Sequence, residues 1–101
     1  PANQLQPMKK VTYRYITIYS HPSQPDVVFG SYAPHLHIDL AVARELIDNR
    51  IEFAEGRSVY TLIDFTNVKS VTKEARDYMN SAEGGLRGLR GGAFLSNNVV
   101  S

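Results

Sequence analysis

The run from Val59 to Ile63 constrains this chain more than any other stretch, because every residue in it is β-branched, aromatic or aliphatic. Such a run suits a strand covered on both faces, as in a mostly parallel sheet. Asp64 ends the apolar run, and loops at the carboxyl ends of parallel strands are where α/β folds place their sites. Asn67 supplies turn chemistry. Thr72 stands where a helix N-cap belongs, with Glu74 in the first turn near the positive end of the dipole. Val71, Ala75, Tyr78, Met79 and Ala82 fall at helical spacing on one face, and Gly84-Gly85 stops the helix.

Upstream, residues 11–19 alternate as a strand. Val11, Tyr13, Tyr15, Thr17 and Tyr19 lie on one face, and Thr12, Arg14, Ile16 and Ile18 on the other. Two prolines with Ser and Asp over 21–26 demand a turn. Residues 27–32 return as a second, antiparallel strand in which Gly30 fits a bulge. Residues 33–38 read as an extended connection. Asp39 then caps a helix whose apolar stripe is Leu40, Ala43, Leu46, Ile47, Ile51 and Ala54, with Arg50 among the residues assigned to the wet face. Gly56 ends that helix. Residues 84–92 are a glycine-punctuated link, and 93–96 begin another buried strand. The order is strand, strand, helix, strand, helix, strand, which implies an α/β fold with a mixed sheet flanked by helices.

The segment Ile63-Asp64-Phe65-Thr66-Asn67-Val68, with Val71, resembles the signature of STAS domains. This family comprises the anti-sigma factor antagonists of bacteria and the tails of sulfate transporters. The chain is most similar to the small STAS-like bacterial proteins, which also resemble the CRAL-TRIO lipid-binding fold. The resemblance covers roughly residues 11–101 as one domain after a disordered tail at 1–10. It implies a regulatory, non-enzymatic module working through protein–protein contact. In phosphorylatable antagonists the helix opens with a Ser-Ser-Gly-like run. Here Lys73, Glu74 and Ala75 stand there, and Glu74 has no hydroxyl to phosphorylate. Family members continue past the strand at 93–96 with helix, strand and helix, whereas here Asn97 would only open the first of these. A missing helix would uncover one sheet face, and that favours a homo-oligomer.

The 101 residues suit one domain, with 43% hydrophobic and 21% charged residues. A net charge of +1 gives no strong field toward nucleic acid or anionic membrane. There is no cysteine for disulfides or zinc thiolates, which fits a reducing cytoplasm. No apolar run is long enough to span a bilayer, and residues 1–10 lack the apolar core of a signal peptide.

The leading candidate surface is Asp64, Thr66, Asn67, Lys69, Ser70, Thr72 and Glu74, on the strand-end loop and helix over 64–79. No catalytic, cofactor or metal site is assigned. His35 and His37 share a face of an extended segment, but a metal needs a further ligand such as Asp39 or His21. Residues 84–92, with Arg87 and Arg90, look like a phosphate cradle. They follow a helix and precede a strand, the reverse of a phosphate loop, and read as a flexible linker with a basic patch for an acidic partner. Tyr13, Tyr15, Tyr19 and Phe29 read as core or interface aromatics. The alternative to protein contact is a small ligand or lipid in an apolar cavity between sheet and helices, as the CRAL-TRIO likeness implies. An enzyme would require His35, His37 and Asp64 to converge in one cleft.

Overall fold

The computed structural model describes residues 8–95, with backbone only over 93–95. Nine elements follow one another: β1 (Lys9–Thr12), β2 (Ile16–Ser20), β3 (Val27–Tyr32), β4 (Leu36–Ile38), α1 (Leu40–Phe53), β5 (Val59–Asp64), β6 (Val68–Val71), α2 (Lys73–Met79) and β7 (Leu89–Leu95). The main sheet has the order β1-β2-β3-β5-β7. Its β1-β2-β3 half is antiparallel, and β3-β5-β7 is parallel. The expected α/β class and mixed sheet are present, and β5 lies between two parallel neighbours.

The helices do not flank this sheet on both sides. Ile16 and Ile18 of β2, Val28 and Tyr32 of β3 and Val59 of β5 form one buried cluster with Ala43, Leu46 and Phe53 of α1 and Ala75 of α2. Residues of opposite parity, Tyr19, Phe29 and Leu62 among them, are half-exposed, and Tyr60 is 48% exposed. Tyr19 and Phe29 stack there with ring centroids 5.2 Å apart. This is an antiparallel-type division, with one face in the core and one open, carried into the parallel half.

Local chemistry explains the boundaries. Asp39 accepts from the Val42 amide at 2.9 Å and opens α1. Thr72 accepts from the Ala75 amide at 3.1 Å and opens α2. Both caps are those expected from the sequence. Glu55 and Gly56 take left-handed backbone after α1, and that reverses the chain into β5.

Six expectations change. The strand over 11–19 is two strands, because the Tyr13 amide donates to the Ile16 carbonyl at 2.8 Å and closes a turn around Arg14. Alternation runs through such a turn unbroken, and β1 begins at Lys9, inside the expected tail. Gly30 is no bulge, since its register with β2 and β5 is regular. A Cβ there would meet Ile63 Cδ1 at 2.8 Å, so Gly30 makes room for core side chains. Residues 33–38 and the loop after Asp64 are not simply connections: β4 and β6 pair in parallel as a separate ribbon. α2 stops at Met79, and Ala82 is exposed. Finally, β7 starts at Leu89 and not at 93, so the glycine link covers 84–88 only. The helix expected at Asn97 lies outside the described residues. Among those residues no helix is long and apolar enough to cross a membrane.

Candidate functional site

The loop between β5 and β6 is built from the inside outward. Asp64 Oδ1 accepts from the Thr66 amide at 2.9 Å and forms a local turn at the strand end. Its hydrogen bonds with Thr66, hydroxyl first and amide second, hold the carboxyl below the usual aspartate range. Asn67 Nδ2 donates to the Tyr32 carbonyl at 2.8 Å, and the Asn67 carbonyl accepts from Leu36. The loop is thereby tied to the end of β3 and the start of β4. Thr72 is occupied as the N-cap.

The seven residues selected from the sequence therefore divide. Asp64, Asn67 and Thr72 position backbone. Thr66, Lys69, Ser70 and Glu74 are exposed around them. On α2, Lys73 pairs with Asp77 at 3.0 Å across one turn, which leaves Glu74 on the same exposed segment without a partner among the described residues.

The ribbon adds a residue the sequence did not place here. His37 lies opposite Ser70 in the β4–β6 register, and its Nδ1 is 2.7 Å from Ser70 Oγ. A serine becomes a nucleophile where its histidine is oriented by a third group and water is excluded. Both residues are exposed, and Ser70 is the only partner bonded to the His37 ring among the described residues. His35 has φ +56° and sits in the turn before β4, so the shared face expected for His35 and His37 is not formed. Among the described residues no group of three or more His, Cys, Asp or Glu is placed to hold a metal.

The largest departure is Arg50. Assigned to the wet face, it is only 7% exposed. Ala43, Leu46, Arg50, Phe53 and Ala54 trace the buried stripe of α1, so the helical period itself runs through Arg50. Its Nη1 donates to the Gly85 carbonyl at 3.1 Å and its Nη2 to the Arg87 carbonyl. The guanidinium thus pins the 84–88 segment to α1, and this segment is ordered by four backbone bonds back to residues 78–84. Burial, and then the neighbouring Arg87 charge, lower the Arg50 pKa from the ordinary arginine value.

Between sheet and helices lies a cavity of about 80 Å³ lined by Ile18, Val28, Leu46, Arg50 and Thr61, among others. A water molecule takes about 30 Å³ of liquid volume, so this space has room for about two or three waters and not for a lipid.

No curated protein and no solved structure matches the chain. A family model does match residues 22–101, from the turn before β3 to the last residue, and its description is that of a domain of unknown function, DUF7793. That span takes in β3 to β7, both helices and the whole ribbon, so the chain belongs to the DUF7793 family.

Proposed function

We propose that this domain is a non-enzymatic interaction module, related to STAS domains, that binds a protein partner through the loop, ribbon and helix over 64–79. One observation carries the reading. Thr66, Lys69, Ser70 and Glu74 are exposed together on a backbone whose conformation is held by three side chains, Asp64, Asn67 and Thr72. A rigid loop presenting polar groups binds with less ordering cost than a mobile one. The surface includes His37 across the ribbon.

The position also supports the STAS likeness. Asp64 closes a parallel strand, and a short helix capped by Thr72 follows within ten residues. Glu74 stands near the helix start, where it supplies a permanent negative charge in place of a phosphorylatable hydroxyl. Control by phosphate at that position is accordingly not part of this reading.

The test compares the wild-type domain with a Lys69→Glu, Glu74→Lys double variant as baits in cell extract of the source organism. Both residues are exposed, so the variant keeps its fold, which circular dichroism checks. A protein captured reproducibly by the wild type and lost with the variant supports the surface. Identical capture profiles would remove it.

A further inference from the structure

A second site stands at the opposite end of β5. Between the carboxyl end of α1 and the 84–88 segment lies a pocket of about 210 Å³. Its lining includes the apolar residues Ile51, Ala54 and Val59 and three arginines, Arg50, Arg57 and Arg87. No carboxylate is among its lining residues. Asp48 pairs with Arg87 at 3.3 Å and Asp26 with Arg57 at 3.7 Å, but neither lines the pocket. Arg90 adds a further positive charge next to Asp26, at 3.9 Å.

The charge balance is unusual for a structural corner. Arg50 is almost wholly buried, yet it has carbonyl partners and no ion-pair partner among the described residues. Those two bonds account for its role in holding the 84–88 segment. They do not account for a full positive charge kept out of water next to a second one on Arg87. The α1 carboxyl end contributes only about half a negative charge, against three guanidiniums. Arg57 and Arg87 are roughly half exposed, and their pairs with Asp26 and Asp48 are of the weak, exchangeable surface kind. Arg57 also donates to the Ala54 and Pro25 carbonyls at 3.2 and 3.4 Å, and Arg87 to the Gly84 carbonyl at 3.3 Å and the Tyr78 hydroxyl at 3.2 Å, all at the long end of the hydrogen-bond range. Arg87 Nη1 has no protein partner among the described residues.

We propose that this pocket binds a small organic oxyanion, a carboxylate or phosphate head on a short apolar body. The head takes the guanidiniums, whose planar forks suit two-oxygen acceptors. The body covers Ile51, Ala54 and Val59. The volume equals that of about seven water molecules, room for a head and a ring or short chain. The Gly-rich stretch with two arginines, which has the wrong order for a nucleotide loop, thus contributes through Arg87 to a site of different construction. It is independent of the 64–79 surface: β5 runs from Val59 in the pocket to Asp64 at that loop, about 17 Å away.

The probe is benzoate, titrated into the labelled domain and followed by amide and arginine side-chain NMR shifts, with neutral benzamide as the matched control. The expected result is saturation with Kd on the order of 1 mM, centred on residues 50–59 and 84–88. Benzamide should bind at least about tenfold more weakly, because it lacks the charge. Arg57→Gln and Arg87→Gln, each at a half-exposed position, should each weaken benzoate by about fivefold or more while the spectrum stays folded. Arg57→Lys and Arg87→Lys keep the charge and lose the fork, and should fall in between. The proposal is overturned by the absence of saturable benzoate binding up to about 20 mM, by equal affinity for benzamide, or by unchanged affinity in the two glutamine variants.

Discussion

His37 and Ser70 are 33 residues apart in sequence and meet across the β4–β6 ribbon, with Nδ1 and Oγ 2.7 Å apart. The contact is exposed and joins β4 to β6, which pair outside the main sheet. An exposed hydrogen bond of this kind contributes about 1 kcal/mol or less. Ser70→Ala is therefore expected to lower stability by no more than that in urea unfolding, with the ribbon amides still protected from exchange. A loss above about 3 kcal/mol would show that the ribbon depends on this pair.

The two helix caps are far apart in the chain but adjacent in space: they follow the paired residues Ile38 and Val71, and the Thr72 amide donates to the Ile38 carbonyl at 2.9 Å. Asp39→Ala and Thr72→Ala should each cost about 1 kcal/mol, and because the caps share the end of the β4–β6 pair, the double variant should depart from their sum by about 0.5 kcal/mol or more. Thr72→Ser should retain the bond to the Ala75 amide and most of the stability. Urea midpoints at constant m-value provide the measurement.

Gly85 and Gly56 separate two reasons for glycine. A Cβ on Gly85 would run into the backbone of Met79, which cannot move aside without displacing the end of α2. Gly85→Ala should destabilise by about 2 kcal/mol or more. At Gly56, φ is +79° with open space around a Cβ, so Gly56→Ala carries only the conformational penalty, about 1 kcal/mol. Thermal unfolding of both variants would reveal the order.

Tyr32 gives the alkaline limb of stability. Burial pushes its phenol up to about 12 in the folded state, whereas an unfolded tyrosine ionises near 10. Above that value the unfolded chain holds fewer protons than the folded one, so stability falls as pH rises from about 10 to about 12. The loss amounts to about 3 kcal/mol, and Tyr32→Phe should lack it in a pH series of urea unfolding.

Asp64 acts at the other end of the scale. Its folded carboxyl titrates below the usual range because Thr66 hydrogen-bonds the ionised form. Its contribution is complete above the unfolded aspartate value of about 4 and is lost as pH falls through the lower folded value. Wild-type protein should lose its advantage over Asp64→Asn on acidification in that window. An advantage independent of pH would contradict the assignment.

Much of the architecture was legible because it is local. Asp39 and Thr72 announce their helices through side chains that reach only three residues ahead. The Val59–Ile63 run announced its strand, but the cover expected on both faces exists on one only: Val59 and Thr61 are buried, whereas Tyr60 is 48% exposed. Within the candidate surface, the residues that would hold backbone could not be told from those that would face solvent. Asn67 spends its amide on Tyr32, a partner 35 positions back. The β4–β6 ribbon was invisible for the same reason. Each strand is short and partly polar, and its pairing exists only when two distant segments are brought together.

The sequence by itself determined the helices, the central parallel strand and the turn chemistry around them, because periodicity, capping and apolar runs act over a few residues. Tertiary structure alone decided that both helices take the same side of the sheet, that His37 faces Ser70, and that Arg50 turns inward to hold the 84–88 segment. These are long-range choices. They depend on which surfaces meet once the chain has closed on itself, and a charged side chain can be buried there because carbonyls far away in sequence receive it.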